Sequence, residues 1–152
     1  MKERPPITIS RASLRDVKAL AEMNRLMIAD EGYKGRLSPG RLEKRFSYWL
    51  GSGQCEAVFF LDREGSRFGY AVFQNEKDAL FFKKRQVFLR HFFIMRDHRR
   101  KGLGTQAFRE LQALWKGAER VDLHVLIENQ GAVGFWHSLG FKEYQLGMAL
   151  ES

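Results

Sequence analysis

Apolar and polar residues change period repeatedly along the 152 residues of this chain, and each change marks an element. Ile7 to Arg11 alternates, as a strand does. From Leu14 the apolar positions shift to a helical stripe of Leu14, Val17, Ala21, Met27 and Ile28. Ser13 caps that helix and Asp30-Glu31-Gly32 ends it. Ser38-Pro39 opens a second helix, a capping serine followed by proline at the first helical position. Leu42, Phe46, Trp49 and Leu50 form its stripe, and Gly51-Ser52-Gly53 stops it. Glu56 to Leu61 and Phe68 to Gln74 read as strands, with turn residues Asp62 to Ser66 between them, hence a hairpin. Residues 75–84 read as a loop or as an extension of the next strand, with Leu80-Phe81-Phe82 unplaced. Val87 to Ile94 is a fourth strand.

The second half alternates element types. A helix from Thr105 buries Ala107, Phe108, Leu111, Leu114 and Trp115. Val121, Leu123, Val125 and Ile127 alternate with polar residues as a fifth strand. Asn129 caps a short helix carrying Ala132, Val133, Phe135 and Trp136, which ends at Leu139-Gly140-Phe141. Phe141 to Met148 is expected as a last strand. The resulting order, β-α-α-β-β-β-α-β-α-β, predicts one α/β domain over residues 1–152 with helices on both faces of its sheet.

Composition narrows the class. Thirteen phenylalanines and 44% hydrophobic residues suit a packed core and not a disordered chain. No apolar run approaches the roughly 18 residues of a membrane helix, and Met1 to Pro6 has no signal-peptide core. A single cysteine excludes an intrachain disulfide and fits a reducing cytoplasm. Cys55 itself reads as a small core residue. His91, His98, His124 and His137 show no metal-ligand spacing, so no metal is expected. The net charge of +8 admits nucleic acid, acidic membrane or a polyanionic cofactor as partner. No nucleic-acid motif accompanies it.

That charge concentrates where the fourth strand ends. Arg99-Arg100-Lys101-Gly102-Leu103-Gly104-Thr105 joins an apolar run to an amphipathic helix. Glycines omit Cβ atoms where backbone must approach something closely. The first N–H groups of a helix lack intrahelical partners, and the helix dipole favours an anion there. The segment therefore reads as a phosphate cradle, or as an ordinary glycine turn with a solvated basic flank. It has neither the third glycine of a dinucleotide fingerprint nor the Gly-Lys-Ser/Thr ending of a nucleoside-triphosphate loop.

Arg99-x-x-Gly102-x-Gly104 after a strand resembles the acetyl-CoA signature of the GNAT superfamily of N-acetyltransferases. Asn129-x-x-Ala132-x-x-Phe135-Trp136-x-x-Leu139-Gly140-Phe141 resembles that superfamily's second hallmark, and the element order matches as well. The resemblance implies a mixed, mostly antiparallel central sheet flanked by helices. It implies acetyl-CoA as cofactor, with its pyrophosphate on the backbone of Arg99, Arg100, Lys101, Gly102, Leu103, Gly104 and Thr105. The pantetheine arm would lie between splayed fourth and fifth strands, against Phe93, Ile94 and Met95, with an N–H near Ile94 stabilising the oxyanion. Asn129 would bond to the cofactor arm, cap its helix, or both. Trp136 stands where many relatives carry an acidic tyrosine, and packs over the cofactor or in the core.

The resemblance further implies a primary amine as acceptor, attacking the thioester directly with a base to take its proton. The fourth strand has no carboxylate. Strand alternation places Arg90 with Phe92 and Ile94, where it would bind a substrate carboxylate or form a structural ion pair, and places His91, a candidate base, on the other face. Asp30 and Glu31 lie in the loop between the first two helices, where acceptors enter in this family, to attract a cationic amine or take its proton through water (Glu31 as the candidate base), or simply as a solvated helix end. The expected partner is a small-molecule or peptide amine, with neither nucleic acid nor membrane. A homodimer is compatible with the sequence. The enzyme is set against a GNAT-like domain that retains the acyl-CoA site but little chemistry.

Overall fold

The computed structural model describes residues 7–76, 85–99 and 101–152. Leu80-Phe81-Phe82 and Arg100 lie outside the described residues. Five strands form one sheet in chain order: β1 (Thr8–Arg11), β2 (Glu56–Leu61), β3 (Arg67–Glu76), β4 (Arg85–Ile94) and β5 (Ala118–Leu123). The first three pairings are antiparallel and β4–β5 is parallel. A parallel pair needs a long crossover, here supplied by a 3₁₀ turn at Arg96–His98 and helix α3 (Leu103–Leu114). Helices α1 (Val17–Asp30) and α2 (Pro39–Ser52) separate β1 from β2, and α4 (Gln130–Ser138) follows β5.

Both faces of the sheet are buried, each by its own helix pair. Leu20, Ala21, Leu42, Phe46 and Trp49 of α1 and α2 pack on Ala57, Phe59, Tyr70, Val72 and Phe93. Ala107, Phe108 and Leu111 of α3 and Trp136 of α4 pack on Val58, Phe60, Ala71, Val87 and Leu89. Adjacent residues facing opposite ways, Phe59 against Phe60, show the period-two pleat that makes one strand serve two cores. The helix boundaries follow local chemistry. Ser38 Oγ accepts from the Arg41 N–H, and Gly53 ends α2 in the left-handed region at φ 76°. No described helix is long and apolar enough to cross a membrane.

Several expectations need correction. Leu14 sits in a 3₁₀ turn (Leu14–Asp16) and is 56% exposed, so the buried stripe of α1 starts at Val17. Helix α3 begins at Leu103 rather than Thr105, because Gly102 supplies the left-handed turn that starts it. Strand β5 ends at Leu123. Val125 and Ile127 lie beyond it, where the chain turns through the Asn129 N–H to Leu126 carbonyl bond. Phe141 to Met148 forms no strand. Phe141 packs on Trp136 and Phe108, and the alternating Tyr144, Leu146 and Met148 stand exposed without a ladder partner.

Candidate active site

The site starts from the mismatch between β4 and β5. Their pairing runs from Arg85–Ala118 to Leu89–Leu123, whereas β4 continues to Ile94. A buried polar pair pins the junction: Gln86 Nε2 donates to Asp122 Oδ2 at 2.7 Å, and Arg120 Nε donates to Asp122 Oδ1 at 2.7 Å. Past Leu89 the far edge of β4 has no β5 partner. The Met95 N–H donates to the Phe68 carbonyl at 2.8 Å, which fixes the alternation of the antiparallel ladder. Phe93 and Met95 therefore bond towards β3. Phe92 and Ile94 turn their N–H groups the other way, into the opening.

The start of α3 borders this opening. Gly102, at φ 75°, has open space where a Cβ would stand. The first intrahelical bond is Gln106 N–H to Gly102 carbonyl, so Leu103, Gly104 and Thr105 N–H groups lack helical acceptors. Among the described residues no side chain caps them. Gly104 has a packing reason for its size, since a Cβ there would sit 3.3 Å from the Phe135 ring. Lys101 is exposed beside this helix end.

Arg99 is committed elsewhere. Its Nε donates to the Ile94 carbonyl at 2.8 Å, its outer nitrogen pairs with Asp30, and it lies 5.5 Å over the Phe93 ring. Arg96 holds the other Asp30 oxygen at 3.0 Å. One guanidinium thus ties the end of α1 to the end of β4. Asp30 has two arginines as partners, which leaves little charge for attracting an amine. Glu31, the next residue, is carried to the same corner with its carboxyl held above the usual range, by loss of surrounding water and then by the Asp30 charge.

Arg90 differs most from its expected position. Val72 pairs with His91 and Phe73 with Leu89, so Arg90 is an extra residue in a β-bulge. The bulge puts Arg90 on the α2 face together with His91, rather than with Phe92 and Ile94. Its guanidinium lies 5.1 Å over Trp49 and donates to Gln74 Oε1 at 2.8 Å. His91 is enclosed by Phe46, Trp49 and Tyr70, with Nδ1 3.0 Å from the Tyr70 hydroxyl. Burial first, then the charges of Arg45 and Arg90, push its pKa down to about 3. A base so far below neutrality is a weak proton acceptor.

The sequence model of the Acetyltransferase (GNAT) family matches residues 22–141. The chain belongs to the GNAT acetyltransferase family. Solved structures share the fold. A possible acetyltransferase from Clostridium difficile 630 superposes with a TM-score of 0.78 at 19% identity, covering 96% of this chain and 97% of that one. Aminoglycoside N-acetyltransferase AAC(6')-Iy in complex with CoA gives 0.74 at 14% identity, covering 100% and 98%. An aminoglycoside acetyltransferase from an uncultured soil metagenomic sample, in complex with trehalose, gives 0.73 at 17% identity, covering 96% and 95%. No curated protein matches the sequence.

Within this GNAT domain the second sequence hallmark is mainly structural. Asn129 Oδ1 caps α4 by accepting from the Ala132 N–H at 3.2 Å. Trp136 is 9% exposed and sits among Phe92, Phe108, Phe135 and Phe141, with ring centroids 4.9–5.7 Å away. That places it in the core rather than over a cofactor. Sequence reasoning missed Asn24, Arg45 and Tyr70. Asn24 lies seven residues after Val17, on the buried stripe of α1, and is 0% exposed. A polar residue on an apolar stripe was the available signal for it. Arg45 and Tyr70 carried none.

Proposed function

We propose that this GNAT acetyltransferase moves an acetyl group from acetyl-CoA to a primary amine of a small molecule or peptide. Residues 1–152 would act as one catalytic domain, with direct attack by the neutral amine. The observation that carries the reading is the unpaired edge of β4 beside the uncapped start of α3. The edge offers amide donors to an extended polar chain, and the helix start offers them to phosphate.

Acetyl-CoA, when bound, supplies an activated thioester. The Leu103, Gly104 and Thr105 N–H groups would hold its pyrophosphate, with Lys101 and Arg100 adding charge at longer range. The Ile94 N–H would be the donor available to a thioester carbonyl oxygen that gains negative charge. Arg99 holds the Ile94 carbonyl, in the next peptide along, and so steadies the end of the strand that carries this N–H. Glu31 accepts the amine proton through water, its raised pKa bringing it nearer the operating pH. Tryptophan at 136 has no acidic proton to give, so water would protonate the leaving thiolate.

A second reading, an acyl-CoA-binding module with little chemistry, is favoured by the weak basicity of His91 and the absence of a carboxylate on β4. Two aminoglycoside-acetylating neighbours support a small-molecule acceptor through the fold alone. Calorimetric titration with acetyl-CoA, followed by thiol release against a panel of primary amines, separates the readings. Binding with amine-dependent release is the expected result. Binding without release from any amine would favour the module. No binding would overturn the cleft assignment.

A further inference from the structure

Trp49 is flanked by two guanidiniums. Arg45 Cζ lies 4.7 Å from its ring centroid and Arg90 Cζ 5.1 Å. Arg45 donates to Asn24 Oδ1 at 2.5 Å, and Arg90 donates to Gln74 Oε1 through Nε at 3.3 Å and an outer nitrogen at 2.8 Å. Both acceptors are neutral amides. Among the described residues, neither arginine has a carboxylate within 4.0 Å, whereas Arg11, Arg25, Arg67, Arg96, Arg99 and Arg120 each do. Two buried donors here also lack partners among the described residues: Arg45 Nε and Asn24 Nδ2, the latter on a fully buried residue.

Cations gathered without a counter-ion are costly, and the cost rises as water is removed. Arginine presents planar forks of donors that match the paired oxygens of a carboxylate or phosphate. Arg90 also lies on the strand that ends at the proposed transfer site. Arg90 precedes Ile94 by four residues on β4, which is about 13 Å along a strand, and an arginine side chain spans part of that distance. Arg90 lies on the sheet face that α1 and α2 cover, where α1 brings up Glu31, and Ile94 offers its N–H from the strand edge while its side chain faces α3 and α4.

We propose that the acceptor amine carries an oxyanion, a carboxylate or a phosphate, which Arg45 and Arg90 grip while the amine reaches the Ile94 end of β4. This rests on the acetyl-transfer reading above and narrows its acceptor to amines with an anionic group at a distance. A polycationic amine is repelled by the same pair.

The test compares matched amines under one acetyl-CoA concentration: ε-aminocaproate against its amide, glycylglycine against its amide, and phosphoethanolamine against ethanolamine. The anionic member of at least one pair is expected to have the higher kcat/KM, by about tenfold or more, as a charge-assisted hydrogen bond allows. A carboxylate preference and a phosphate preference are told apart by which pair responds. In Arg90→Ala, at an exposed position and with its fold checked by circular dichroism, that preference should collapse towards one, and Arg90→Lys should restore part of it. Arg45→Ala should act alike if it folds. Equal use of anionic and neutral partners by the native protein, or an unchanged preference in Arg90→Ala, overturns the proposal while leaving acetyl transfer intact. If no amine is acetylated, calorimetric binding of the same anionic amines in the presence of CoA tests the site separately. No binding there overturns it too.

Discussion

His91 is neutral in the folded protein at any pH well above 3. Its cage leaves no route to a compensating anion: Phe46, Arg45 and Trp49 close it from α2, Tyr70 from β3, and Arg90 from its own strand. In the unfolded chain the same imidazole takes up a proton near pH 6.5. Between those values the unfolded state holds more protons, so acid favours unfolding. The contribution is full above about pH 6.5 and is lost as pH falls towards 3, with a slope of at most about 1.4 kcal/mol per pH unit. His91→Phe, which keeps an aromatic ring in the cage, should flatten the fall of the urea midpoint between about pH 7 and pH 4. Equal slopes in both proteins would assign the acid sensitivity to other groups. The burial of His91 was not legible from its sequence neighbours. It arises from residues on α2 and β3 that no local pattern connects to it.

At the scale of elements, the crossing of β3 and β4 depends on one small residue. A Cβ on Gly69 would stand 2.2 Å from the Phe93 carbonyl oxygen and 3.1 Å from the Phe60 ring. The obstacle is backbone, which cannot rotate aside. Gly69→Ala should therefore destabilise the domain by about 1–3 kcal/mol, the usual range for forced overpacking, read as a lower urea midpoint. A native midpoint would mean that the strands part without cost. Helices and their ends were the legible elements, because Ser38, Gly53 and Asn129 carry their instructions in the local chain. The bulge at Arg90 had no such signal, and it reversed the face assigned to that side chain. The alternation from Tyr144 to Met148 has the period of a strand, but a strand also needs a neighbour to pair with, and sequence alone does not supply one.

Over the whole molecule, the proposed cofactor end and the proposed acceptor end differed in how far sequence could describe them. The cofactor end is one continuous stretch, a strand, two glycines and a helix start, so its chemistry is written in order along the chain. The acceptor end draws Asn24 from α1, Arg45 and Trp49 from α2, Tyr70 and Gln74 from β3, and Arg90 and His91 from β4. Only the folded sheet brings these together. The charge of +8 is likewise divided by the fold. Six described arginines are paired with carboxylates, and among the described cations that are not, Arg45, Arg90 and Lys101 border the two regions offered to anions.

The early parting of β4 from β5 also sets a clock on individual amides. Phe93 and Met95, locked to β3, should exchange their amide hydrogens with solvent deuterium slowly, by opening of the sheet. Phe92 and Ile94 alternate with them on the same strand yet have no ladder partner past Leu89 and Leu123, so they should exchange faster by orders of magnitude. Addition of CoA should slow those two amides together with Leu103, Gly104 and Thr105, and leave Phe93 and Met95 nearly unchanged. Residue-resolved exchange that found Phe92 and Ile94 already slow in the free protein would mean the edge is closed, with no room for a ligand strand.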